Sequence, residues 1–195
     1  MTTLLVGLVL FFGVHSISIA SRSWRDSMAA RIGRGPWQLV YSLLSIAGFY
    51  LIVRGYSLAR HDPVVLYESP HWLRYVNAAL MLPVFPMLIA AYAPGRIKTT
   101  LKHPMLAATK TWALAHLLVN GTLADVLLFG SFLVWAAADR VAVGRRAAPV
   151  RPMFGGKARA NSRTADVIAI VVGLAIYVLF MTYAHVRLFG VSPTP

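Results

Sequence analysis

Six histidines, few carboxylates and no cysteine set the chemistry open to this chain. Three ionisable residues, His15, Lys110 and His116, fall inside long apolar stretches. His103 opens the stretch that holds Lys110 and His116, and His185 lies near the end of the last one. An ionisable group within a membrane-length apolar run is costly and marks a functional position. A neutral imidazole there can ligate a metal or a haem iron, carry a proton, or hydrogen-bond a neighbouring helix. Two histidines on different helices can clamp a haem in a bundle. A non-haem metal usually adds carboxylates, and Asp125 is the one acid expected within a span. No nucleophile-elbow motif is present. Without cysteine, disulfides, thiolate metal sites and cysteine nucleophiles are excluded. Structural hydrogen bonding, haem ligation and proton transfer all remain open at this level.

The elements that must position these residues follow from composition. Of the 195 residues, 58% are apolar and 13% charged, against roughly 25% charged in a soluble domain. That excludes both a soluble globule and a disordered chain. A membrane helix needs about 20 apolar residues, and six stretches qualify: residues 3–20, 37–58, 72–93, 104–119, 123–138 and 166–186. The first lacks a basic leader and a small-residue cleavage site, so it reads as a retained helix. Pro36 opens the second, and Pro83 with Pro86 predicts a kink in the third. The fold class is therefore all-α, a polytopic bundle of about six spans forming a single domain over 1–195.

The net charge of +13 concentrates on alternate loops. Arg22, Arg25, Arg31 and Arg34 follow the first span; Arg96, Lys98 and Lys102 follow the third; Arg140, Arg145, Arg146, Arg151, Lys157, Arg159 and Arg163 follow the fifth. Basic loops stay cytoplasmic, which predicts a multi-pass protein of the bacterial inner membrane with both termini periplasmic. The partner these charges imply is the lipid bilayer; no nucleic acid is expected. The loop over 140–164, rich in Gly, Pro, Ala and Arg, predicts a mobile basic cytoplasmic linker.

At about 100° per residue, Ser18 and Arg22 fall on the face of His15, and Met105, Thr109, Trp112 and Asn120 share the face of His116. His103 and Lys110 occupy a second polar face. With both termini outside, the levels of His15 and His116 differ by about 8 Å. His185, near the outer end of the last span, is an alternative partner for His116.

Three segments carry a family resemblance. Lys102-His103-Pro104-Met105 followed by Lys110-Thr111-Trp112-Ala113-Leu114-Ala115-His116-Leu117-Leu118-Val119-Asn120-Gly121 resembles the signature of the NnrU family. So do the Phe-x-x-x-His-Ser element from Phe11 to Ser16 and the ending His185-Val186-Arg187-Leu188-Phe189-Gly190-Val191-Ser192-Pro193. NnrU proteins are polytopic membrane proteins associated with denitrification, the reduction of nitrite and nitric oxide. They are related to zeta-carotene cis–trans isomerases, which hold a b-type haem. The resemblance implies haem with His15 and His116 as axial ligands. A cysteine-linked ligand exchange in those isomerases has no counterpart in this cysteine-free chain. If haem is held, Arg22 and Lys110 are the cations for its propionates, Trp112 and Phe12 are packing candidates, and Thr109 and Asn120 could orient a ligand imidazole through its second nitrogen. Three functions follow: a redox or sensing haem protein of nitrogen-oxide metabolism, with a redox partner; a haem-dependent isomerase of a lipid-soluble polyene; or a non-catalytic scaffold with structural histidines. Whether the chain is an enzyme is left open between them.

Overall fold

In the computed structural model, which describes residues 1–145 and 162–194, every regular element is helical. Ten α-helices run in chain order: α1 (Thr2–Ala20), α2 (Arg22–Ile32), α3 (Arg34–Ala59), α4 (Leu73–Met81), α5 (Val84–Ala90), α6 (Arg96–Leu101), α7 (Pro104–Val119), α8 (Leu123–Gly144), α9 (Arg163–Leu179) and α10 (His185–Phe189). A π-helical turn, Phe180–Ala184, joins the last two. Among the described residues, five helical segments are long and apolar enough to cross a membrane: Thr2–Ala20, Arg34–Ala59, Leu73–Ala90, Leu123–Gly144 and Arg163–Phe189. The remaining expected span, α7, has 16 residues, about 24 Å of helix against a hydrocarbon layer of about 30 Å.

The pattern of burial is the reverse of that in a soluble protein. Ala108, Ala113, Ala115, Ala136 and Ala169 are fully buried, while Val9, Leu39, Ile46 and Val134 are more than 60% exposed. Small residues sit between helices and large apolar ones face out, which is stable where hydrocarbon is the solvent.

The described residues group into two compact units. The first comprises residues 1–67 and 121–145 and holds α1, α2, α3 and α8. Its centre is an antiparallel α1–α3 pair in glycine-mediated contact. A Cβ on Gly7 would lie 2.6 Å from the backbone nitrogen of Ile52, one on Gly48 would lie 2.9 Å from that of Phe11, and one on Gly55 would overlap the backbone of Leu4. Three glycines thus let the two backbones approach along most of their length.

Between α1 and α3 the chain does not simply loop. Ser21 is extended (φ −154°, ψ 101°), and its hydroxyl accepts from the backbone N–H of Trp24 at 3.2 Å. It ends α1 and caps α2, as serine does by supplying an acceptor to an unpaired helix amide. Gly33, at φ 90°, closes α2.

The start of α8 carries the one buried charged side chain among the described residues, Asp125, at 5% exposure. Its Oδ2 accepts from Thr122 N–H (2.9 Å) and Thr122 Oγ1–H (2.6 Å); its Oδ1 accepts from the Tyr56 hydroxyl of α3 (2.6 Å). The backbone N–H of Asp125 returns to Thr122 Oγ1 at 3.2 Å, completing a capping box. Asp125 is thus within a span, as expected, but as a helix cap and an inter-helix anchor. The connecting backbone is pinned by Leu66 and Tyr67 N–H to the Gly121 carbonyl and by Leu123 N–H to the Val64 carbonyl. Replacing Asp125 with alanine removes the reciprocal half of the capping box, at about 1 kcal/mol, and strands the Tyr56 hydroxyl, at about 1–3 kcal/mol. We expect a destabilisation of about 2–4 kcal/mol, read as a lower thermal midpoint in detergent.

The second unit, over the described residues 68–120 and 162–194, holds α4, α5, α6, α7, α9 and α10. The expected proline kink is present: α4 stops at Met81 and α5 restarts at Val84 after Pro83. Pro86 packs against Gly173 of α9 so closely that a Cβ there would overlap the proline. Asp166 of α9 caps α6 from a distance in sequence: its carboxylate accepts from Arg96 N–H (2.9 Å) and Ile97 N–H (3.0 Å). Ser69 Oγ donates to the Leu118 carbonyl at 2.6 Å, satisfying the end of α7. The basic loop expected to begin at Arg140 begins later, because α8 continues to Gly144. The rest of that loop, residues 146–161, lies outside the described residues.

Candidate functional site

His15 sits three-quarters of the way along α1, half-buried, inside an aromatic wall. Phe11, one turn earlier, stacks on the imidazole at 4.1 Å and 25°. Tyr41 of α3 lies at 5.4 Å, and Trp135 of α8 meets the ring edge-on at 6.0 Å and 87°. Phe12 and Phe132 extend the wall, 4.9 Å apart. The ring is oriented by its Nδ1, 2.7 Å from the Phe11 carbonyl. A carbonyl oxygen only accepts, so Nδ1 carries the proton and Nε2 keeps its lone pair. Beside this imidazole the buried Nε1–H of Trp135 has no hydrogen-bond partner. A buried orphan donor is costly unless a polar group reaches it.

His116, on α7, repeats the local design. Its Nδ1 lies 2.9 Å from the Trp112 carbonyl, and Trp112, one turn earlier, contacts the ring at 5.3 Å and 50°. The Nδ1 contact comes from the backbone. Thr109 donates its hydroxyl to the Met105 carbonyl at 3.0 Å, and Asn120 Nδ2 donates to the carbonyl of His116 at 2.9 Å. Lys110 is half-buried on α7 and forms no ion pair among the described residues. His103 is the N-cap of α7, and Lys102 before it takes a positive φ of 61°, a strained value for a side-chain-bearing residue.

His185 differs. It follows the π-helical turn, and its Nδ1 reaches forward to the Val191 carbonyl at 2.7 Å, beyond the helix end. Phe189 packs on it at 4.9 Å. Its Nε2 is also left with a lone pair. π-turns occur often at functional positions.

Arg22 requires a correction. Its placement on the face of His15 assumed that α1 runs on, but the chain turns at Ser21 and Arg22 begins α2, where it pairs with Asp26 at 3.6 Å. The guanidinium that reaches back to α1 is that of Arg25, 3.5 Å from Ser18 Oγ. Tyr41, Phe132 and Trp135 were not singled out from the sequence. Phe129, Phe132 and Trp135 recur every three residues on α8, an aromatic stripe whose partner helix is set only by the fold.

The residues present fit a haem in chemical type. Two imidazoles in separate units are each held by a carbonyl one turn back, each backed by an aromatic ring, and each protonated at Nδ1. Among the described residues no group of three or more His, Asp or Glu side chains could hold a non-haem metal ion. A family model described as NnrU protein matches residues 3–193. No curated protein and no solved structure matches the chain.

Proposed function

Since the chain belongs to the NnrU family, we propose that it is a b-type haem protein of the bacterial inner membrane, serving the reduction of nitrite and nitric oxide. In this reading His15 and His116 ligate the iron through Nε2, with His185 as the alternative partner of His116. Both termini face the periplasm and the basic loops face the cytoplasm. The observation that carries the reading is the shared construction of His15 and His116. In each, a backbone carbonyl fixes the Nδ1 tautomer and raises the basicity of the opposite nitrogen, as partners of ligating histidines do.

A haem held there supplies one-electron redox chemistry. The protein's own residues perform the remaining tasks. Phe11, Phe12, Phe132 and Trp135 make a dry aromatic wall around His15 that excludes water and lowers the local dielectric. Trp112 does the same beside His116. The Trp135 Nε1–H offers a donor to whatever polar group occupies the wall's edge. In this reading Lys110 neutralises a haem carboxylate, and Arg22, paired with Asp26 on α2, does not.

The direct test is the visible spectrum of the full chain, purified after expression with haem supplied. A Soret band with about one haem per chain is expected. A colourless protein with native helix content overturns the proposal.

A further inference from the structure

The helix α2 and the start of α3 form an open depression that the haem reading does not use. Arg22 and Arg25 stand at one end and Arg34 at the other, over a floor of Ala29, Ala30 and Gly33. Positions 22, 25, 26, 29 and 30 recur at helical spacing on one face of α2, and Gly33 and Arg34 continue the surface past its end. A single carboxylate, Asp26, lies within it, and it is shared by two guanidiniums: Arg22 at 3.6 Å, and Arg25 through both its Nε (2.9 Å) and an Nη. Its carboxyl is held below the usual range, first by the Arg25 hydrogen bond, so it stays ionised at neutral pH. Arg34 has no carboxylate partner among the described residues.

The level of this face is set by its neighbours. The 11-residue α2 is too short to cross a bilayer. It joins the end of α1 to the start of α3, two span-length helices packed antiparallel. Trp24, half-exposed, packs edge-on against Trp37 at 6.1 Å. A tryptophan pair at the end of apolar spans marks the headgroup level of a bilayer. Three guanidiniums at that level, offset by one carboxylate, present an excess of positive charge where lipid phosphates lie.

We infer that this depression is a binding surface for the phosphodiester headgroup of an anionic membrane phospholipid. The phosphate bridges Arg34 and the Arg22–Arg25 pair, in competition with Asp26, and the alanine and glycine floor leaves space for the glycerol. Guanidinium forks match phosphate oxygens in geometry as well as charge. The inference is independent of the haem reading.

The test is native mass spectrometry of the full chain in neutral detergent, titrated with phosphatidylglycerol or with phosphatidylcholine of the same acyl chains. Phosphatidylglycerol should be retained several-fold more tightly. The Arg22→Gln/Arg34→Gln double variant should lose roughly 30-fold in that retention, from the surface attraction of about two cations. Asp26→Asn, which removes the competitor, should gain roughly fivefold. Arg31→Gln, on the same helix but outside the depression, should change it less than twofold. Equal retention of the two lipids overturns the inference without reference to any variant. So does an unchanged double variant, a loss in Arg31→Gln as large as in the double variant, or displacement of the lipid by millimolar inorganic phosphate, which would mark a free-anion site.

Discussion

Alanine at His15 is expected to remove most of the bound haem, and alanine at His116 to do the same, while each variant keeps the helix content and elution volume of the parent. Each imidazole is held by one carbonyl, at 2.7 Å for His15 and 2.9 Å for His116. Both of these contacts lie within the histidine's own helix, one turn back. Alanine at His185 separates the two ligand assignments. A spectrum unlike the parent's in His185→Ala, together with an unchanged one in His15→Ala, would make His185 the partner of His116. A subtler change is expected at Trp135. Replacement by phenylalanine keeps the wall but removes the orphan N–H, and should shift the absorption or the redox potential without releasing haem. The same spectra read all four variants.

Leucine at Gly55 is expected to have the largest effect on folding. A Cβ at that position alone would overlap the backbone of Leu4, and the two glycines further along the pair make contacts nearly as close. Over-packing a core usually costs about 1–3 kcal/mol where side chains can give way. Here the obstacle is main chain in an antiparallel helix pair, so the cost should reach or exceed the upper end of that range. The α1–α3 pair carries His15 and Tyr41 on its two members, so separation of the helices also disperses the aromatic wall. Gly55→Leu should accumulate poorly in membranes and melt well below the parent. Gly130→Leu, at a position where a Cβ meets nothing within 4 Å, serves as the control and should be near neutral.

Much of the architecture is written in local pattern. Each of the six apolar stretches is helical, because a 20-residue apolar run has no other way to satisfy its backbone in hydrocarbon. The break at Pro83 follows from a missing amide donor. Caps set the helix boundaries. The first span was expected to end at residue 20, as α1 does; only the placement of Arg22 on the face of His15 ran past that end, and the Ser21 hydroxyl caps a new helix there. The Thr122-x-x-Asp125 capping box was equally visible, and it explains the buried acid without any ligand. The glycine contacts were not legible, because Gly7, Gly48 and Gly55 acquire meaning only once α1 and α3 are known to pair. The wall around His15 has the same character: Phe11 is local, whereas Tyr41 and Trp135 arrive from helices 26 and 120 residues away in sequence. Family membership was legible through short motifs at fixed offsets, and the family match extends over residues 3–193.

The central claim is that two neutral histidines hold a haem iron through Nε2. Pulsed electron paramagnetic resonance of the oxidised full chain, with histidine labelled by nitrogen-15, tests it most directly. The account predicts a low-spin ferric signal with couplings from two imidazole nitrogens, one lost in His15→Ala and the other in His116→Ala. A high-spin signal, couplings from a single imidazole, or the absence of any ferric haem signal in folded protein would contradict it.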